Sequence, residues 1–181
     1  PSLVGSEMCI RDSNKGWAFF CQDKLQKSIC HAIMEHVCII FGRSKVMRIM
    51  VMDGQGGGVG RSLLEALKER FPEAELIAVG TNATATANMM KSGVTSGATG
   101  ENAVVYNSKR ADVIVGPVGI VMADAMLGEI TPTMAAAVAS NDAKLILIPM
   151  SKCHATIVGV ESRRLGEYIV EAVDEIAENC F

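Results

Sequence analysis

The chain predicts an α/β fold: a Rossmann-like three-layer sandwich with a mostly parallel sheet, in one small domain over residues 47–181. Three observations predict it. Short and nearly all-apolar runs recur at 47–52, 75–79, 112–115 and 144–148, the pattern of strands buried on both faces. Stretches with helical spacing separate these runs, and strands alternating with helices build a parallel sheet. The first run also feeds straight into a glycine-rich loop that opens a helix.

Each element follows from local chemistry. Leu63, Leu64, Leu67 and Phe71 fall at helical spacing over 61–71, and Pro72 stops that helix. The second strand, 75–79, leads to a helix over 83–91 that Thr81 or Asn82 is placed to cap and that ends before Gly93. Gly97, Ala98, Thr99 and Gly100 read as a second flexible loop, and 103–106 as a short extra strand. The strand at 112–115 runs into Gly116, Pro117, Val118 and Gly119, followed by a helix through about Leu127. Thr131 and Pro132 start another helix, with Pro at the first helical position, continuing to Ser140. After the strand at 144–148, Leu165, Tyr168, Ile169, Ala172, Val173 and Ile176 mark one face of an amphipathic C-terminal helix.

Composition excludes several classes. A chain of 181 residues, 49% hydrophobic and 20% charged, is long enough for one real core and too short for two ordinary domains. From Met47 onward eleven basic residues face sixteen acidic ones, and the basic ones are scattered singly, so nucleic acid is not an expected partner. Phosphate, if bound, must be held by backbone. No run reaches the ~18–20 apolar residues of a membrane span; the best, 32–41, carries Glu35 and His36. Four of the six Cys precede Met47, and Cys153 and Cys180 show no metal or disulfide spacing, so no metal and a reducing cytoplasm are expected.

Residues 1–46 look foreign to this fold. The only Trp, three of the five Phe and those four Cys fall there, without trustworthy periodicity. The opening segment, 1–13, resembles the conceptual translation of a sequencing adapter, a contaminant of reading frames assembled from environmental DNA. Residues 42–46 also back-translate to a ribosome-binding sequence upstream of a Met47 start. The expectation is a non-native or disordered extension ahead of a domain at 47–181. A signal peptide lacks its basic n-region here; the other alternative is a genuine extra helix over 23–41.

The loop Asp53, Gly54, Gln55, Gly56, Gly57, Gly58, Val59, Gly60 lies between a predicted strand and a predicted helix, where backbone N–H groups and the helix's positive end converge. Five glycines in seven residues permit close backbone approach to an anionic phosphate, although a tight turn with no ligand is the plain alternative. The spacing resembles the cofactor loop of short-chain dehydrogenases, Thr-Gly-xxx-Gly-Ile-Gly, with Asp53 in the Thr place. It is not a P-loop, because no Lys-Ser/Thr follows. The dehydrogenase likeness ends there: Tyr106, Asn107, Ser108, Lys109 falls one residue short of that family's Tyr-xxx-Lys.

At the end of the second strand, where a dinucleotide site usually carries an acid for the ribose 2′-hydroxyl, stand Gly80, Thr81 and Asn82. Without a carboxylate there, a 2′-phosphate is permitted, and Thr81 and Asn82 are placed to donate to ribose or phosphate, or simply to cap the helix. Gly116, Pro117 and Gly119 end the third strand at the same sheet edge. Glu129, Cys153 and His154 are weak catalytic candidates; a solvated Glu and an inert Cys are the plainer readings.

Together, residues 47–60, 80–82, 97–102, 116–119 and 126–132 resemble a bacterial family described as domain of unknown function 3842. The resemblance spans 47–176 and implies a domain start at Met47, but no activity. The expected function is binding of a nucleotide or dinucleotide, NAD(P) or another, across 54–60, Thr81, Asn82 and Gly116 to Gly119. The alternatives are a small enzyme acting on a phosphorylated metabolite with Cys153 or Glu129, and a ligand-free interaction subunit; homo-oligomers are common among such domains.

Overall fold

The computed structural model describes residues 46–150, 156–161 and 163–180, together with the backbone of Ile10–Asp12 and Gly16–Ala18. Two compact units divide the chain, Pro1–Lys45 and Val46–Phe181. In the first, Ile10–Asp12 and Gly16–Ala18 pair as antiparallel strands. The alternative of a helix over 23–41 lies outside the described residues, as do Cys153 and His154.

The second unit alternates strand and helix: β1 (Arg48–Asp53), α1 (Gly58–Arg70), β2 (Glu75–Gly80), α2 (Ala83–Met90), β3 (Ser96–Thr99), α3 (Glu101–Ser108), β4 (Val113–Pro117), a 3-10 turn at Val118–Val121, α4 (Pro132–Ala139), β5 (Lys144–Ile148) and α5 (Leu165–Asn179). All five strands are parallel, in the order β3-β2-β1-β4-β5. Strand alternation decides which face each helix covers. Ile49 and Val51 point to the face packed by Leu63, Leu64 and Leu67 of α1 and Ile169, Val173 and Ile176 of α5. Met50 and Met52 point to the opposite face, against Val104 of α3 and Met134 and Val138 of α4. Both faces are dry, which is why β1 and β4 are apolar at nearly every position. The expected three-layer α/β sandwich with a parallel sheet is therefore the observed fold.

Three local expectations are corrected. Residues 96–99 form an edge strand, β3, not a loop: Ala98 pairs with Val79 while three of its four residues stay exposed, so no apolar run announces it. Residues 103–106 belong to α3, not to a strand: Val104 and Ser108, four apart, are its buried positions, so the β-branched pair Val104-Val105 sits on a helix with one narrow inward stripe. No helix reaches Leu127. The buried apolar side chains between β4 and α4 recur every fifth position, Ile120, Ala125 and Ile130, a spacing no α-helical face supplies. That segment instead makes a left-handed turn through Asp124, Met126, Leu127 and Gly128, with φ of 62°, 58°, 63° and 87°.

This topology fixes where a site can lie. From β1 the chain proceeds outward through α1 to β2, whereas β4 lies on the other side of β1 and is reached across the opposite face. The carboxyl ends of β1 and β4 thus flank the topological switch point, the crevice where open α/β sheets receive ligands. Register brings Asp53 beside Gly80, and Thr81 N donates to Asp53 O at 3.0 Å, tying the loops after β1 and β2 together.

Candidate functional site

The loop after β1 can be read amide by amide. Asp53, only 4% exposed, turns its carboxylate back over the loop: Oδ1 accepts from Gly54 N at 2.8 Å and Oδ2 from Gly60 N at 2.7 Å, with Val59 N also donating. Gln55 N donates to Glu129 Oε2 at 2.8 Å and Gly57 N to Gly54 O at 3.0 Å. The amides of Gly56 and Gly58 donate to no described protein group. They are the loop's free donors, on its exposed side.

The glycines divide in the same way. A Cβ on Gly57, whose φ is +65°, would meet the Ala85 backbone, its Cα at 2.8 Å; α1 and α2 approach too closely for any side chain. On Gly54 it would strike Met126 Sδ at 2.6 Å and Thr81 Oγ1 at 2.8 Å, and on Gly60 the Asp53 Cβ and Met89 Cε, both at 2.8 Å. These three glycines are demanded by packing. Gly56 and Gly58 are not: a Cβ on either meets nothing within 4 Å, and neither has a left-handed φ.

Side chains from α2 and from the loop before it hold the loop rigid. Asn82 caps α2 by accepting from Ala85 N at 2.8 Å, and its Nδ2 donates to Gln55 O at 3.0 Å and to Glu129 Oε2 at 2.9 Å. Capping and site-building are therefore one function of one amide. Asn88 Nδ2 donates to Gly56 O at 2.8 Å. Sequence reading passed over Asn88; a lone amide facing the loop from an Ala-rich helix was the available signal.

Glu129 arrives from the other side of the switch point. Its Oε2 accepts from Gln55 N, from Thr81 Oγ1 at 2.5 Å and from Asn82 Nδ2, which places a carboxylate at the end of β2. The expectation that this position lacks a carboxylate is thereby corrected: the acid is supplied from 48 residues downstream of Thr81, beyond the reach of a local motif. The left-handed turn delivers it. Non-glycine residues there cost about 1–2 kcal/mol each, and the turn is held by Asp124 N to Ile130 O at 2.8 Å and by the complete burial of Ile130.

The two carboxyls differ electrostatically. Burial raises the Asp53 pKa, the amides of Gly60, Gly54 and Val59 oppose that, the nearby Glu129 charge adds to it, and the net direction is upward. Burial also pushes Glu129 upward, but the bonds from Thr81, Gln55 and Asn82 outweigh it and hold the group below its ordinary value. Glu129 is a fixed anion rather than a proton donor at neutral pH.

The structure thus brings together 53–60, Thr81, Asn82 and Glu129. Gly116, Pro117 and Gly119 adjoin them at the end of β4 but are buried, and Gly116 lies against the Met52 carbonyl, so this segment forms wall rather than open surface. No group of His, Cys, Asp and Glu among the described residues is arranged to hold a metal ion, and no described helix is long and apolar enough to cross a membrane. A family model described as domain of unknown function 3842 matches residues 48–180, the entire α/β unit from β1 through α5. The chain belongs to that family. The family's match therefore takes in the glycine loop, the Thr81-Asn82 pair and the Glu129 turn alike. No curated protein matches the chain.

Proposed function

We propose that this domain binds a nucleotide or dinucleotide of the NAD(P) type, its phosphates seated on the amides of Gly56 and Gly58. One observation carries the reading: those two glycines are exposed, packing does not require them, and their N–H groups are unused at the positive end of a 13-residue helix beside the switch point. A merely connective turn needs Gly57 but gives no reason for Gly56 and Gly58. Asp53, Asn82 and Asn88 act as braces, fixing the backbone before the ligand arrives so that little ordering entropy is lost on binding. In an acidic domain, neutral backbone donors are the means of holding phosphate that the composition leaves. We also assign the protein to the bacterial cytoplasm, a reading supported by cysteines that show no disulfide spacing.

The test is thermal unfolding of the full chain against NAD, NADP, FAD, FMN, ATP, GTP, coenzyme A and inorganic phosphate. A ligand at about 100 times its Kd stabilises the native state by about 2.7 kcal/mol. The expected result is a shift with at least one nucleotide that Gly58→Asp abolishes, because a carboxylate then stands where phosphate would sit while the apo protein keeps its stability. No shift with any member of the panel moves the reading to a ligand-free interaction subunit.

A further inference from the structure

The carboxylate that crosses the switch point has an unused half. Glu129 Oε2 is saturated by Gln55 N, Thr81 Oγ1 and Asn82 Nδ2, while Oε1 accepts no hydrogen bond from any described residue. Oε1 is also not sealed in, since the described residues hold no buried side-chain oxygen without a partner. An anion is therefore fixed in position by three donors at the carboxyl end of β2, with one oxygen unused and not sealed from solvent.

We propose that Glu129 is the acceptor for a ribose 2′-hydroxyl, so that the domain selects nucleotides with a free 2′-hydroxyl and rejects those carrying a 2′-phosphate. The inference rests on the nucleotide reading above. Its chemistry is acceptor-only: an ionised carboxylate with a free oxygen takes a hydrogen bond from a hydroxyl and repels a phosphate dianion. Among the described residues bonded to Glu129, no cation offsets that repulsion. The groups bonded to Glu129 include no Lys or Arg, and Arg61 at the start of α1 is paired with Glu65 at 2.8 Å. Three fixed donors also keep Oε1 from swinging away, which converts one hydrogen bond into a specificity element.

The experiment is calorimetric titration of the full chain and of Glu129→Gln with two pairs of probes: NAD against NADP, and AMP against adenosine 2′,5′-bisphosphate. The second pair removes the nicotinamide half from the comparison. The wild type should prefer the member of each pair without a 2′-phosphate by about tenfold or more, as expected for one charge-assisted bond gained against one repulsion. Glu129→Gln can still accept the three donors through its amide oxygen, so it should keep its fold, lose about tenfold in NAD affinity and narrow or erase the preference. Equal wild-type affinities within each pair, an unchanged preference in Glu129→Gln, or tighter NAD binding in Glu129→Ala would each overturn the proposal; the last would make Glu129 a plug in the site. If Glu129→Gln does not fold, ADP against 2′-deoxy-ADP on the wild type decides, with a tenfold loss expected on removing the hydroxyl. Absence of binding by every probe removes the nucleotide reading itself, whereas binding without 2′-selectivity removes only this inference.

Discussion

Asp53 and Glu129 are two carboxylates on one glycine loop, accepting from adjacent amides, Gly54 N and Gln55 N, yet they do opposite things. Asp53 is buried, uses both oxygens inside the loop and is pushed toward its neutral form; Glu129 is half-buried, uses one oxygen and is held ionised. The difference teaches that a helix N-terminus rich in free amides is not by itself an open anion site. The protein has already filled part of it. What remains for a ligand is the set of donors that neither carboxylate takes, together with the oxygen that Glu129 leaves unused.

The largest expected effect comes from removing the buried member. Asp53→Ala strands the amides of Gly54, Val59 and Gly60 in a site water hardly reaches, and at about 1–3 kcal/mol for each unsatisfied donor the net loss should be about 3–5 kcal/mol. Glu129→Ala should cost only about 1 kcal/mol, because its donors lie near the surface and can rehydrate. Urea unfolding of the two variants measures the contrast directly. Comparable losses would mean that Glu129 is as structural as Asp53, and the division between brace and ligand group would collapse.

Legibility followed the range of the interaction. The core strands and the Pro72, Asn82 and Thr131 boundaries were readable because each rests on neighbours in sequence: an apolar run, a breaker or a cap. The edge strand β3 was not, since one-sided burial leaves no apolar run to read, and neither was α3, whose inward stripe is too narrow to outweigh two β-branched residues. Of the site, the loop and the Thr81-Asn82 pair were legible. The roles inside the loop were not: which glycines serve packing depends on where Ala85, Met89 and Met126 come to rest. Glu129 was visible only as an isolated acid, because its position depends on a left-handed turn through Met126 and Leu127, residues whose side chains disfavour that conformation.

The glycines sharpen the same contrast at intermediate size. Gly57→Ala combines a left-handed φ with a clash against the Ala85 backbone, neither of which a flexible side chain can relieve, and should cost about 2–4 kcal/mol. Gly58→Ala adds a methyl to the first position of α1 in open space, so it should be neutral or stabilising by up to about 1 kcal/mol. Thermal unfolding of both, each with and without the best ligand of the panel, separates the roles. Gly57→Ala should lower stability in either state, whereas Gly58→Ala should lower only the increment that ligand adds. A destabilising Gly58→Ala in the apo protein would return that glycine to the packing class and remove the main support for an open phosphate seat.

The smallest effect is in pH dependence, where the two carboxyls should differ in sign. Asp53 has its folded pKa above the ordinary value of 3.8, so the folded state binds that proton more tightly. Its titration contributes stability that is complete below 3.8 and is lost as pH rises through the raised folded value. Glu129 has its folded pKa below the ordinary 4.5, so its contribution is present above 4.5 and is lost as pH falls through the lowered value. The stability difference between wild type and Asp53→Asn should therefore shrink as pH rises across its window, and the difference between wild type and Glu129→Gln should grow as pH rises across its own. Denaturant melts at closely spaced pH values read both slopes. Because Glu129 lies near the surface, its slope should also flatten in 1 M salt, while that of Asp53, shielded by the loop it braces, should persist. Slopes of the same sign would mean that the two groups share one environment, and the asymmetry assigned to the loop would be lost.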